Sequence, residues 1–105
     1  MDAKFELGFL VMTREVALRR ENKDFDKFVN DSIARYAQCD WGDTCDEDKM
    51  TNDYAVKNND RILAVYKYND TTTIWIITEW DRSVTTVLFP VSYTHLRAHE
   101  TLANL

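Results

Sequence analysis

The residues best suited to chemistry lie between two strand-like runs in the last third of the chain. They form one polar set: Glu79, Asp81, Arg82, Ser83 and Thr85. An arginine can hold a carboxylate or a phosphate through two parallel hydrogen bonds, and hydroxyl groups add orienting bonds. Three tryptophans, Trp41, Trp75 and Trp80, could stack on a planar ligand. The set therefore predicts a binding site for a nucleotide or another planar anion.

The same residues also have a structural interpretation. Local hydrogen bonds can hold an Asp-Arg-Ser turn while the tryptophans fill the core. Arg82 would then connect the turn to Asp43 or Glu79. A carboxylate pair, Glu79 with Asp81 or Asp43, could in principle do acid–base chemistry. Nothing in the spacing separates such a pair from ordinary surface acids, so we assign no catalytic residue.

An acidic stretch and two cysteines are the other candidates for a site. The acids are Asp40, Asp43, Asp46, Glu47 and Asp48. Carboxylate oxygens suit a hard cation, but a calcium loop needs a glycine at its sixth position and a glutamate at its twelfth. Acids in the first turn of a helix are stabilised by its dipole without a metal. Cys39 and Cys45 lack the further ligands of a zinc site. We therefore predict free thiols, no metal and no cofactor.

The end of the chain has a different origin from the rest. The segment from Val91 to Thr101 reads as the in-frame translation of a transposase-type sequencing adapter, and it contains both histidines, His95 and His99. We interpret residues 91–105 as a non-native tail that follows a single domain, residues 1–90. Without those histidines the domain has no Cys–His or Ser–His nucleophile.

The hydrophobic pattern predicts an α+β fold. Phe5, Leu7, Phe9 and Val11 indicate an N-terminal strand. Two or three helices follow, and the predicted spans are Arg14 to Glu21, Phe25 to Gln38, and a helix from a Thr44/Glu47 capping box to about Asn58. The predicted strands are Arg61 to Tyr68, Thr73 to Trp80 and Val84 to Phe89. We expect these last strands to form an antiparallel meander with the helices on one face, and Met50 and Tyr54 to be buried.

Composition limits the classes of partner. The chain has 105 residues, is 45% hydrophobic and carries a net charge of −5. Binding to phosphate backbones needs clustered basic residues, so direct non-specific nucleic-acid binding is not expected. An acidic domain could instead face a basic protein surface. The sequence shows no membrane span and no signal peptide, and with two cysteines it predicts a cytoplasmic protein.

Several short motifs add a family resemblance. They are Asp40-Trp41-Gly42-Asp43, Glu47-Asp48-Lys49, Asn52-Asp53, Ile74-Trp75-Ile76-Ile77-Thr78-Glu79, Asp81-Arg82-Ser83, Thr85-Thr86 and Leu88-Phe89-Pro90. With Leu7-Gly8 and Thr13-Arg14, the chain resembles a family of short bacterial proteins of mobile elements, often described only as "plasmid-related". Tyr36 stands where that family often has a histidine after an arginine, and Cys39 stands where it usually has glycine.

This resemblance implies a phage, plasmid or integrated element as the carrier. Together with small size and acidic charge, it favours a non-enzymatic binding protein that acts in counter-defence. Such a protein would inhibit a host defence protein or sequester a nucleotide signal. The alternative is a small toxin-like or nucleic-acid-processing enzyme. The expected partner is therefore a host protein or a small anionic ligand, and a homo-oligomer is possible.

Overall fold

The computed structural model describes residues 3–90, which form an α+β fold of three helices and a four-stranded mixed sheet. The strands are β1 (Phe9–Met12), β2 (Ile62–Lys67), β3 (Thr73–Thr78) and β4 (Val84–Leu88). The helices are α1 (Arg14–Arg19), α2 (Lys23–Ala37) and α3 (Asp46–Asn58). The segment interpreted as an adapter-derived tail, with both histidines, lies outside the described residues.

The sheet has the strand order β1-β4-β3-β2. β3 is antiparallel to both β2 and β4, whereas β1 pairs in parallel with β4, and Phe9 lies beside Val84. The sequence predicted an N-terminal strand and an antiparallel meander of the last three strands. Those three strands pair as predicted, but β1 joins the same sheet in parallel with β4, so the mixed four-stranded sheet is a correction. Parallel neighbours need a long connection, and here helices and two strands separate β1 from β4. Turn-length spacing, on which the prediction relied, cannot reveal such a pairing.

The first strand begins later than predicted, at Phe9 rather than Phe5. Gly8 has a φ of +66°, which interrupts the extended backbone. A Cβ atom at this position would lie 2.4 Å from the carbonyl oxygens of Arg82 and Ser83. The glycine therefore allows the chain to pass closely over the β3–β4 turn before it joins the sheet.

One hydrophobic cluster joins the sheet to the helices. Alternate residues of the strands and the inner faces of the helices contribute fully buried side chains, among them Val16, Phe25, Val29, Tyr36, Ile62, Tyr66, Ile74, Ile76 and Val87. This alternation is the period-two pattern expected of a sheet that is covered on one face. The predicted apolar stripe of α2 therefore packs in the core.

Helix α3 begins and packs differently from the prediction. Its N-cap is Cys45, which makes no side-chain cap bond, so the Thr44/Glu47 capping box is wrong. Met50 and Tyr54 were predicted to be buried and are exposed, whereas Asn52 and Ala55 are buried. The reason is that α3 contacts the edge of β2 through Asn52, a polar residue that bonds to the backbone of Leu63. The predicted end is confirmed, since Asn59 takes a left-handed conformation.

Helix α2 ends in a Schellman motif that has a cysteine at its left-handed position. Asp40 donates its backbone N–H to the carbonyl of Arg35, and Cys39 donates to that of Tyr36. Cys39 has a φ of +64°, a conformation that costs an L-residue about 1–2 kcal/mol and that glycine adopts freely.

We predict that Cys39→Gly is more stable than Cys39→Ala by roughly 1 kcal/mol. Both variants remove the half-buried thiol, but only glycine removes the left-handed penalty. Urea unfolding of the two variants gives the difference directly. Equal stabilities would show that the turn relaxes around a side chain at no cost.

Candidate functional site

The Asp-Trp-Gly-Asp motif lies along the outer edge of β2. Gly42 forms a parallel bridge to Val65, and Asp43 donates its backbone N–H to the Val65 carbonyl at 2.8 Å. The carboxylate of Asp43 accepts the N–H of Lys67 at 2.8 Å. The hydroxyl of Thr44 accepts the N–H of Val65 at 2.9 Å. The loop therefore acts as a short additional strand that satisfies the edge of the sheet.

Asn52 of α3 continues this edge. Its side-chain amide donates to the Leu63 carbonyl at 2.9 Å and accepts the Leu63 N–H at 3.3 Å. The pair of bonds imitates the two-way pairing of a neighbouring strand residue. Because Asn52 is buried, this contact also fixes how α3 packs on β2.

We predict that Asn52→Leu destabilises the protein by about 2–4 kcal/mol, because it leaves two backbone groups of Leu63 without a partner in a partly buried site. Asn58→Leu on the same helix is the matched control, since Asn58 is exposed and bonds only to a helix carbonyl. The control should change the free energy of unfolding by less than about 0.5 kcal/mol. Similar losses in both variants would contradict the edge-capping role.

Asp40 anchors the start of the same loop. Its carboxylate accepts two hydrogen bonds from the guanidinium of Arg35, at 2.9 and 3.1 Å, and one from the backbone N–H of Gly42. The bond from Arg35 is the main cause that lowers the pKa of Asp40. The Asp40 carbonyl accepts from the hydroxyl of Tyr66, whose pKa is raised by burial. These contacts hold the loop on the sheet and present no open metal site.

Trp41 is buried and belongs to the core. Its indole N–H donates to the carboxylate of Asp53 at 2.9 Å, and its ring packs against Tyr36 and Phe5. A ligand therefore has no direct access to the face of this tryptophan. Of the two roles considered for the tryptophans, stacking on a ligand and filling the core, Trp41 takes the second.

Arg82 lies at the β3–β4 turn, and its guanidinium donates to backbone carbonyls. Nη1 bonds to the carbonyl of Asp60 at 2.7 Å and of Glu79 at 3.1 Å, and Nη2 bonds to that of Ala55 at 2.8 Å. Its guanidinium carbon also lies 6.0 Å from the centre of the Phe5 ring. Arg82 thus joins the turn to the end of α3, where the Ala55 carbonyl also accepts the backbone N–H groups of Asn59 and Asp60.

Asp81 and Ser83 complete this turn. The Asp81 carboxylate accepts hydrogen bonds from the backbone N–H of Ser83 at 3.1 Å and from its hydroxyl at 2.6 Å. These bonds lower the pKa of Asp81, and the hydroxyl makes the larger contribution. The carboxylate of Glu79 is 3.9 Å from the guanidinium of Arg61. The turn therefore carries an ionised carboxylate at neutral pH on an ordered backbone.

Thr85 is buried and takes part in a chain of hydroxyl groups. Its hydroxyl donates to the Leu7 carbonyl at 2.6 Å and lies 2.8 Å from that of Thr78, which lies 2.7 Å from that of Tyr36. A hydroxyl has one hydrogen, so Thr85 accepts from Thr78, and Thr78 accepts from Tyr36. Burial raises the pKa of Tyr36, which remains a donor. Thr85 therefore orders the core rather than a surface ligand.

The structure thus separates the predicted site residues into four places. Glu79, Asp81, Arg82 and Ser83 meet at one turn, Trp41 and Asp43 belong to the loop on β2, and Thr85 is interior. Trp75 is half-buried on β3 opposite Leu88, on the other face from Ile74 and Ile76. Trp80, inside the turn, is 65% exposed. The predicted set does not form a single pocket.

Sequence reasoning gave too little weight to the exposed hydrophobic residues at this end of the sheet. Phe9, Leu10 and Val11 of β1 are exposed, and Phe9 donates its N–H to the carbonyl of Ser83 in the turn that carries Trp80. The alternation of Phe5, Leu7, Phe9 and Val11 predicted a strand with one strongly apolar face. The signal that this interpretation missed is the run from Phe9 to Met12, which contains no alternating polar residue.

The remaining candidates, a metal site, the two cysteines and a membrane span, can be checked against residues 3–90. No group of three or more histidine, cysteine, aspartate or glutamate side chains in this part of the chain could hold a metal ion. Cys39 is half-buried and Cys45 is exposed, and both are free thiols. Burial raises the pKa of Cys39, which disfavours its thiolate. Across the same residues, no helix combines the length and hydropathy that crossing a membrane requires.

Comparisons with protein-family models, with curated proteins and with solved structures find no match to this chain. The function must therefore be argued from the geometry of the turn and of the surface around it.

We predict that Arg82→Ala destabilises the protein by about 2–4 kcal/mol, because three carbonyl groups lose a charged donor. Arg82→Lys should recover less than half of that loss, since one ammonium group cannot reach carbonyls on both sides of the fork. Thermal or urea unfolding measures both. A loss below about 1 kcal/mol for Arg82→Ala, as is usual for an exposed side chain, would show that these bonds do not hold the fold together.

Proposed function

We propose that this chain is a non-enzymatic binding protein of a phage or other mobile element that inhibits a host defence protein by direct contact. The observation that carries the proposal is the exposure of Trp80 on an ordered turn. Tryptophan is enriched among the residues that dominate binding at protein interfaces, where it acts as an anchor in a partner's pocket.

The turn is held in place before any partner arrives. Arg82 fixes it from below through the carbonyls of Asp60 and Ala55, and Asp81 fixes it from within through Ser83. A rigid turn loses little conformational freedom when it binds, so more of the interaction energy contributes to affinity. This supports Trp80 as a preorganised anchor.

The charge around Trp80 favours a basic partner surface. Asp81 follows Trp80 directly, and the hydrogen bonds from Ser83 favour its ionised form. The chain as a whole carries a net charge of −5. Complementary charge speeds association and selects among partners, and host proteins that bind nucleic acid present basic surfaces. Inhibition of such a protein is therefore the form of counter-defence that we favour.

Nucleotide sequestration has weaker support from the geometry. Both terminal nitrogens of Arg82 already donate to carbonyls, so the side chain expected to bind an anion is occupied. Trp41, one of the three tryptophans expected to stack on a base, is buried. A thermal-shift screen against nucleotides tests for sequestration directly. Cleavage of RNA or DNA by the purified protein would instead favour the alternative function, a small nucleic-acid-processing enzyme.

The test of the proposal is a restoration assay in bacteria. A panel of strains, each with one nuclease-based defence system, is infected with a sensitive phage while the full chain is expressed. We expect plaque formation to recover by about 10-fold or more in at least one strain, because an excess of the chain occupies the defence protein by mass action. Trp80→Ala should abolish the recovery without unfolding the protein.

Tyr54→Ala is the matched control, because Tyr54 is a similarly exposed aromatic residue on α3, outside the turn. It should retain the recovery. If plaque formation recovers in none of the strains, the proposed function is overturned. If wild type and Trp80→Ala restore plaques equally, the turn is not the binding surface.

A further inference from the structure

We propose that the free edge of β1 pairs with β1 of a second copy, in an antiparallel arrangement that joins the two sheets into one of eight strands. This inference does not depend on the proposed function, since it uses the outward backbone groups of β1 and not the side chain of Trp80. It rests on the contrast between the two edges of the sheet, on the hydrogen-bonding groups that β1 directs outward, and on the charges beside it.

The two edges of the sheet are treated differently. The outer edge of β2 is covered by Asp43, Thr44 and Asn52, which bond to its backbone. Within residues 3–90, β1 has a strand neighbour only on the β4 side. Monomeric proteins usually protect such an edge with charge, proline or a bulge. β1 has none of these side chains, and Phe9 is 80% exposed.

The backbone of β1 determines which pairing is most favourable. Phe9 and Thr13 donate their N–H groups toward β4, to the carbonyls of Ser83 and Val87. Because the direction alternates along a strand, the N–H and C=O groups of Leu10 and Met12 point outward. Antiparallel pairing of Leu10 with Met12 of the second copy uses all of these groups and forms four hydrogen bonds by symmetry. A shift in register would engage Gly8 or Arg14, which do not have strand geometry.

In this register Val11 lies on the two-fold axis, opposite Val11 of the second copy. Phe9 and Val11 of both copies then form one continuous apolar stripe across the seam. The same pairing covers Leu10 and Val11, which are 44% and 43% exposed in the single chain. Burial of these side chains supplies the favourable free energy that a bare edge lacks.

Charges beside the strand favour the antiparallel direction. The nearest charged residue before β1 is Glu6, and the nearest after it is Arg14. Antiparallel pairing brings the acidic end of one strand to the basic end of the other, whereas parallel pairing would place like charges together. A second copy therefore meets complementary charge at both ends of the seam, despite the net negative charge of each chain.

Disulfide trapping tests the register. Val11→Cys and Leu10→Cys are made separately in the full chain with Cys39→Ser and Cys45→Ser, and each is exposed to oxidised glutathione. Directly opposite residues of a non-hydrogen-bonded pair lie about 4.5 Å apart at Cα, which suits a disulfide, whereas offset pairs lie beyond about 7 Å. We expect covalent dimers from Val11→Cys and at least 10-fold fewer from Leu10→Cys, the matched control of equal exposure.

Light scattering over a range of concentrations tests the dimer without cross-linking. The wild-type chain should approach twice its monomer mass, and Val11→Lys should raise the dissociation constant by about 10-fold or more, because it places like charges together at the axis. Leu18→Lys, on an exposed position of α1, should leave it unchanged. A monomer at all concentrations, or trapping by Leu10→Cys in preference to Val11→Cys, would overturn the proposal.

Discussion

The fold depends on the way the outer edge of β2 is satisfied. An edge strand leaves a row of backbone groups without partners, and here a loop and one helix side chain provide them. Asp43 accepts the N–H of Lys67, and Thr44 accepts that of Val65. Asn52 bonds to Leu63, the preceding outward-facing residue of β2. These contacts place α3 and close one side of the sheet. The Asp-Trp-Gly-Asp motif thus bonds to backbone groups of the sheet.

Polar side chains elsewhere in the fold, buried or half-buried, also bond to backbone carbonyls or to one another. Arg82 bonds to carbonyls at the end of α3, and the hydroxyls of Tyr36, Thr78 and Thr85 form a chain that ends at a backbone carbonyl. Among the described residues, no buried side-chain nitrogen or oxygen lacks a partner. The interior polar chemistry is therefore structural, and the side chains left for recognition are the exposed hydrophobic ones.

Local patterns predicted the elements well and their contacts poorly. Helical spacing identified α2, and turn residues placed the ends of β3 and β4 to within one or two residues. The parallel pairing of β1 with β4 was missed, since no local signal encodes a contact between distant segments. Thr44 fitted a capping box, but Val65 competes for its hydroxyl. Arg82 was a reasonable ligand for an anion until the fold placed three carbonyls around it. Such outcomes depend on tertiary geometry, which spacing along the chain does not contain.

The pairing of the first strand with the last has a consequence for folding. Almost the whole described chain separates Phe9 from Val84, so closing this contact costs loop entropy and is expected to slow folding. During synthesis, β1 leaves the ribosome long before β4 exists. Both edges of the run Phe-Leu-Val-Met are then without a paired strand, so other chains that are being synthesised nearby can bind to it. Translation speed and the density of ribosomes on the message therefore bear on how much of the chain reaches its native state.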